Sequence, residues 1–195
     1  ALSGKVVNTS TNITSSALLT GFVYTFGNGP SVIQSFTVSG TSLTNNIIVT
    51  PPTNFEISLS SGGTYVSTPL TINQSAGKVN AQTVYVRLKA GLSIGTYTPV
   101  NIAITSSPAT TINVSCNGKV IAVPSITAGT TPASPVCEGD VVSLTSTGTA
   151  VTNQYWTGPN DFYYSNPATP NPRLGAVTSN NAGTYTVTGS AVSGV

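Results

Sequence analysis

Thr83-Val84-Tyr85-Val86-Arg87-Leu88-Lys89 decides the fold. Val84, Val86 and Leu88 fall on one side of an extended chain, and Thr83, Tyr85, Arg87 and Lys89 on the other. A period of two marks a strand with one face on a core and the other in water. Moving outward, the same alternation predicts strands over Ala17–Tyr24, Ser31–Ser39, Asn46–Thr50, Phe55–Leu59 and Leu70–Ile72 before this stretch. After it, strands are predicted over Thr98–Thr105 and Thr110–Cys116. Turn signals separate them, among them Gly27-Asn28-Gly29-Pro30, Pro51-Pro52, Ser61-Gly62-Gly63 and Ala76-Gly77. Nineteen Gly and thirteen Pro interrupt the chain too often for long helices. Many short strands at this spacing read as a β-sandwich.

A second set of strands is predicted over Val141–Thr145, Gln154–Thr157, Arg173–Ala176 and Gly183–Thr188. Between the sets, Asn117-Gly118 reads as a turn, and Val120-Ile121-Ala122-Val123-Pro124 leads into a Pro/Thr-rich stretch. The expected organisation is all-β: two tandem immunoglobulin-like β-sandwiches, residues 1–118 and 119–195, the second a short one of seven strands. One internal echo bears on how such modules join. Ser3-Gly4-Lys5-Val6-Val7 resembles Asn117-Gly118-Lys119-Val120-Ile121 at the entrance to the second domain. Residues 1–7 therefore read as the exit strand of a preceding repeat in a tandem array. Their apolar Leu2, Val6 and Val7 are expected to pack on a neighbouring repeat or another copy of the chain, by strand addition to an open sheet edge.

Composition bears on function mainly by exclusion. Charged residues make up 5% of the chain, against a usual ~25%. There is no His, there are two Cys, and the four acids are Glu56, Glu138, Asp140 and Asp161. General acid–base catalysis, metal ligation and nucleophile activation draw on those types at close quarters. No catalytic, cofactor-binding or metal-ligating residues are expected, and the chain does not read as an enzyme. Glu138-Gly139-Asp140 offers too few oxygens for calcium and reads as a turn. The basic residues Lys5, Lys78, Arg87, Lys89, Lys119 and Arg173 are scattered and the net charge is +2, so no nucleic-acid footprint is present. No apolar run approaches the ~20 residues of a membrane span. No signal peptide is visible; Ala1 begins in strand-like sequence, as in a mature chain or part of a longer one.

The Thr-rich, Lys-poor composition points to an extracellular protein. Cys116 lies on the last strand of the first domain and Cys137 in a turn of the second. Ten extended residues span ~33 Å, well beyond the ~7 Å limit between bridged Cα atoms, so the two are expected not to pair. Asn8, Asn12, Asn73 and Asn113 head N-x-[ST] triplets, which carry meaning only in a host that glycosylates them.

Tyr155-Trp156-Thr157-Gly158-Pro159-Asn160-Asp161-Phe162-Tyr163-Tyr164 concentrates five aromatic residues. One reading makes Tyr155, Phe162, Tyr163 and Tyr164 a carbohydrate platform, since ring faces cover the apolar faces of pyranoses. The other places Trp156 and Phe162 in the core and leaves Tyr163 and Tyr164 on a half-exposed edge.

Asn181-Ala182-Gly183-Thr184-Tyr185-Thr186-Val187 resembles the D-x-G-x-Y-x-C signature of immunoglobulin strand F, with Asn181 in place of Asp and Val187 in place of Cys. The resemblance implies that Tyr185 is a tyrosine corner and that Leu144 stands for the strand B Cys. It also makes Trp156 the core Trp of strand C, packed with Leu144, Val187 and Tyr185. Gln34-Ser35-Phe36-Thr37-Val38-Ser39-Gly40, Pro52-Thr53-Asn54-Phe55-Glu56-Ile57-Ser58 and Val84–Leu88 look like an immunoglobulin-like module of large secreted Bacteroidota proteins. Pro135-Val136-Cys137-Glu138-Gly139-Asp140 and Tyr155–Asn160 look like the PKD/immunoglobulin-like repeats of the same proteins. Such proteins are exported adhesins or multidomain enzymes, often using type IX secretion, and these modules carry no catalytic residues. The resemblance implies a structural or adhesive repeat of a bacterial cell-surface or extracellular filament protein. The alternative it leaves open is a carbohydrate-binding accessory region of a secreted hydrolase.

Overall fold

In a computed structural model of the chain, residues 10–16 and 19–191 are described. The expected exit strand at residues 1–7 lies outside them. The chain divides into two compact units, residues 1–121 and 122–195.

Unit 1 contains β1 (Asn12–Ser15), β2 (Phe22–Thr25), β3 (Gln34–Thr41), β4 (Ile47–Thr50), β5 (Phe55–Ser58), β6 (Leu70–Ile72), β7 (Val79–Leu88), β8 (Gly95–Thr105) and β9 (Ile112–Ile121). One sheet has the order β1-β3-β7-β5 and the other β2-β9-β8-β4-β6. Central strand β7 behaves as its alternation requires: Val84, Val86 and Leu88 are fully buried, while Thr83, Tyr85 and Arg87 are half-buried on the opposite face. Phe36, Val38, Ile57, Ile102, Ile104 and Val120 join the same core. Phe22 on β2 meets Phe55 on β5 edge to face, with ring centroids 5.3 Å apart, and so couples the two sheets. Buried Ser31 is paired at the end of β7, whereas the Ser15 hydroxyl on β1 is buried without a hydrogen-bond partner. The Leu88 amide donates to the Ser31 hydroxyl at 2.9 Å, and the Ser31 amide donates to the Leu88 carbonyl at 3.2 Å.

The expected Ala17–Tyr24 strand is present from Phe22 onward but not over residues 19–21. Gly21 takes a left-handed φ of +72°, so regular pairing starts only at Phe22; residues 17 and 18 lie outside the described set. Asn117-Gly118 is not a turn. Strand β9 runs straight through it to Ile121, pairing antiparallel with β8 and parallel with β2. Gly118 is there for space, because a Cβ would stand 3.0 Å from Leu88 Cδ2 and 3.0 Å from the Phe22 carbonyl oxygen. A glycine in a strand interior marks close backbone approach as readily as a turn.

Unit 2 contains β10 (Ser125–Thr131), β11 (Val141–Thr149), β12 (Val151–Gly158), β13 (Phe162–Tyr164), β14 (Arg173–Ala176) and β15 (Thr186–Ala191). These six strands, among the described residues, form the sheets β10-β11-β14 and β13-β12-β15. Val142, Leu144, Trp156 and Val177 are buried between them. The pairing of β11 with β14 and of β12 with β15 matches the pairing of β3 with β7 and of β4 with β8 in unit 1. In immunoglobulin terms both units pair strand B with E and strand C with F. The architecture is thus all-β, two immunoglobulin-like β-sandwiches. Among the described residues, a 3-10 turn at Ser179–Asn181 interrupts it. Strand β10 escaped the sequence reading because it has no apolar alternation: all but Ile126 are exposed, and its strand pairing is with β11. No helix among the described residues is long and apolar enough to cross a membrane.

Gly118→Val should destabilise unit 1 by about 1–3 kcal/mol, the usual cost of overpacking a filled core. Urea unfolding of the two proteins would measure it; an unchanged midpoint would show that Gly118 is not held by packing.

Candidate functional site

The aromatic stretch folds into the β12–β13 hairpin, and its register sorts the side chains. Trp156 lies opposite Tyr164, Thr157 opposite Tyr163, and Gly158 opposite Phe162. Directly opposed residues share a face, so Trp156, Tyr164 and Phe162 point to the inner side and Tyr155, Thr157 and Tyr163 to the outer side. Pairing of β12 with β15 adds Thr186 and Thr188 to the outer face and Val187, half-buried opposite Trp156, to the inner one.

Trp156 is 1% exposed, and its indole N–H donates to the Pro170 carbonyl at 3.0 Å. Gln154 donates to the same carbonyl at 2.9 Å, and the Asn171 side chain accepts from the Ser146 amide and hydroxyl, each at 3.0 Å. These bonds fasten the Pro-rich loop between β13 and β14 against the sheet. The Tyr164 hydroxyl lies 2.8 Å from the Thr169 carbonyl of that loop. Phe162 meets Tyr185 edge to face at 5.3 Å. Gly158 makes room for this packing, since a Cβ there would stand 2.5 Å from the Tyr185 ring.

The four residues of the expected carbohydrate platform therefore do not form one surface. Phe162 and Tyr164 are engaged on the inner side. Tyr155 and Tyr163 remain, 38% and 66% exposed, with ring centroids 5.8 Å apart and planes tilted by 32°. They are diagonal neighbours on the outer face, beside the hydroxyls of Thr157, Thr186 and Thr188. The chemistry available there is apolar contact with hydroxyl hydrogen bonding.

Tyr185 ends the connection into β15. Its hydroxyl donates to the Asn181 carbonyl at 3.1 Å, the geometry of a tyrosine corner. Strand β15 begins just after it, at Thr186 rather than at Gly183, because Gly183 adopts a φ of +145° where the chain bends. The sequence reading overlooked a second copy of this device. Gly95-Thr96-Tyr97-Thr98 opens β8 and the identical Gly183-Thr184-Tyr185-Thr186 leads into β15, and the Tyr97 hydroxyl donates to the Ser93 carbonyl at 2.9 Å. The identical Gly-Thr-Tyr-Thr tetrapeptide was the signal available.

A cavity of about 470 Å3 adjoins the unit 2 corner, lined by Val142, Leu144, Leu174, Val177, Gly183 and Tyr185 among others. Cys137 and Glu138 also border it. Asp140 accepts a hydrogen bond from the Cys137 amide at 2.8 Å, closing the Glu138-Gly139-Asp140 turn. Both cysteines are free; Cys116 is buried and Cys137 exposed. Burial pushes the Cys116 thiol up to about 12. No group of three or more His, Cys, Asp or Glu that could hold a metal occurs among the described residues.

Among the described residues of unit 1 is a charged contact that the sequence reading did not place. Glu56 and Arg87 are opposed on β5 and β7, with Arg87 Nε 2.6 Å from Glu56 Oε1. The Arg87 guanidinium also lies 4.0 Å from the Tyr65 ring centroid. Partial burial raises the Tyr65 hydroxyl pKa and the Arg87 charge opposes the rise. The cluster is a local clamp across β5 and β7.

No known protein family and no curated protein matches the chain. Among solved structures it is similar to the crystal structure of DIP-gamma IG1+IG2. The identity is 14%, over 94% of this chain and 92% of that one, with a TM-score of 0.49.

Trp156→Ala should destabilise unit 2 by about 3–5 kcal/mol, and Tyr185→Phe by about 0.5–1.5 kcal/mol for the lost corner bond. Thermal and urea melts decide both, and an unshifted Trp156→Ala would mean the indole is outside the core. For the thiols, a folded pKa above the unfolded one keeps Cys116 protonated and unreactive near neutrality. Its stabilising contribution is complete below the ordinary thiol pKa of 9.0 and is lost as pH rises toward about 12. A thiol reagent at pH 8 should label Cys137 alone in the folded chain and both cysteines in denaturant.

Proposed function

We propose that this chain is a pair of non-enzymatic structural or adhesive modules from a bacterial cell-surface or extracellular filament protein, of the type IX-secreted kind that its sequence resembles. The observation that carries this reading is the repeated construction. Two units build the same B–E and C–F pairings and the same Gly-Thr-Tyr-Thr corner, which is the economy of a tandem scaffold. The surface chemistry supports it. Strands are joined by uncharged pairs such as Thr14 with Ser39 and Ser16 with Thr37, each at 2.7 Å, which tolerate wide changes in salt and pH. In unit 1, β2 and β9 pair in parallel from Phe22–Gly118 to Thr25–Ile121, placing backbone hydrogen bonds across a pull on the unit's ends.

A second reading, a carbohydrate-binding accessory region, is favoured by one observation. Tyr155 and Tyr163 form an exposed ring pair flanked by threonine hydroxyls, large apolar faces with polar tips.

Two measurements separate the readings. Single-molecule extension of linked copies should give two unfolding steps per copy, each lengthening the chain by roughly 3.5 Å per residue released. One merged step, or extension without resistance, would count against the spacer. On a glycan array the chain should show no signal that depends on Tyr155 and Tyr163. Specific binding lost in a Tyr155→Ala/Tyr163→Ala variant would establish the carbohydrate reading instead.

A further inference from the structure

Asn28-Gly29 and Asn117-Gly118 are the two Asn-Gly pairs of the chain. Such pairs are prone to spontaneous deamidation, because glycine has no side chain to shield its amide nitrogen and its backbone turns freely. In sequence the two are alike. In the fold they are not.

Asn117 and Gly118 lie inside β9, which runs between β8 and β2. Extended backbone holds ψ near about +115 to +135°, which turns the Gly118 nitrogen away from the Asn117 side chain. Gly118 is buried, and the Asn117 carboxamide is held as well, its Oδ1 accepting from the Gly21 amide at 3.0 Å. Reaction at Asn117 therefore requires the sheet to open.

Asn28 and Gly29 lie outside any strand, in the turn that leaves β2. Asn28 is exposed, and its backbone amide donates to the Thr25 carbonyl at 2.8 Å. Among the described residues, neither the Asn28 side chain nor the Gly29 amide makes a hydrogen bond. The nucleophile and the group it attacks are thus both free. Packing meanwhile keeps the glycine in place. A Cβ on Gly29 would stand 2.7 Å from the Tyr24 ring and 3.0 Å from the Ala90 Cα. The ring is itself fixed, since the Tyr24 hydroxyl donates to the Lys89 carbonyl at 2.8 Å and accepts from the Leu92 amide at 3.1 Å. The fold demands the residue that makes Asn28 labile.

We infer that Asn28 is a site of spontaneous covalent modification, with water as the co-reactant. The Gly29 nitrogen attacks Cγ of Asn28. The N–Cγ bond forms, the Cγ–Nδ2 bond breaks, and ammonia leaves with the Gly29 amide proton. Water then opens the succinimide. Opening at Cγ gives aspartate; opening at the main-chain carbonyl gives isoaspartate, whose main chain is one carbon longer. Either product adds a carboxylate to a chain with four acidic residues and a net charge of +2. The site is independent of what the two units bind.

The test is to age the full chain in warm, mildly alkaline buffer, folded and in urea, and to map its peptides by mass spectrometry. Isoaspartate is scored by an isoaspartyl methyltransferase. In the folded chain Asn28 should convert more than about tenfold faster than Asn117, since the ladder must open before Asn117 can react. In urea the two rates should converge. Isoelectric focusing of the folded chain should show one acidic shift, which Asn28→Gln abolishes because the longer side chain closes its ring far more slowly. An Asn28 that stays intact in the folded chain would overturn the inference. So would equal rates at the two sites before unfolding, or an acidic shift that survives Asn28→Gln.

Discussion

Strand β7 can bury Val84, Val86 and Leu88 only by turning Thr83, Tyr85 and Arg87 to the opposite face. That geometric constraint, two residues per repeat, organises unit 1. β7 lies between β3 and β5, so its inward residues fix which residues of both neighbours face the core. A slip of one residue would send all three apolar side chains to the outer face. The opposed Glu56 and Arg87 and the Arg87–Tyr65 contact lock the register from that outer side. The buried pair of bonds between Ser31 and Leu88 ends the strand without leaving a polar group unpaired.

With so few charges, the chain relies on hydroxyl and amide groups for tasks that many proteins give to ion pairs. Thr14 with Ser39 and Ser16 with Thr37 link neighbouring strands, and Gln154, Ser146 and Asn171 tie a loop to a sheet. Such contacts contribute modestly one by one, but they satisfy buried and edge groups without depending on ionisation. What this surface lacks is the charge with which exposed sheet edges are usually blunted. An edge strand in such a protein is a point of attachment unless something covers it.

The tyrosine corner shows how one local device positions larger features. In both units a Gly-Thr-Tyr-Thr segment bends the chain, the tyrosine hydroxyl ties back four residues upstream, and a long strand begins. In unit 2 the corner ring also supports Phe162, and Gly158 is the residue that admits it. The inner side of the β12–β13 hairpin is thereby committed to packing, which leaves Tyr155 and Tyr163 alone on the outer face.

The sequence by itself determined the all-β class, because period-two alternation and frequent Gly and Pro permit little else. It determined that Val84, Val86, Leu88, Leu144 and Trp156 face a core. It also carried the repeated Gly-Thr-Tyr-Thr corner, legible although only the copy at Tyr185 was read. Tertiary structure alone decided the rest. Strand β10 exists because β11 offers it a backbone ladder, and nothing in its own side chains says so. Gly118 continues a strand because Leu88 and the Phe22 carbonyl crowd it, contacts that come from residues distant in the chain. Tyr155, Phe162, Tyr163 and Tyr164 of the hairpin look alike in sequence, and only the register of β12 with β13 and β15 separates those that pack from those that meet solvent. A side chain's face follows from its own strand, but what waits on that face is set by strands elsewhere in the chain.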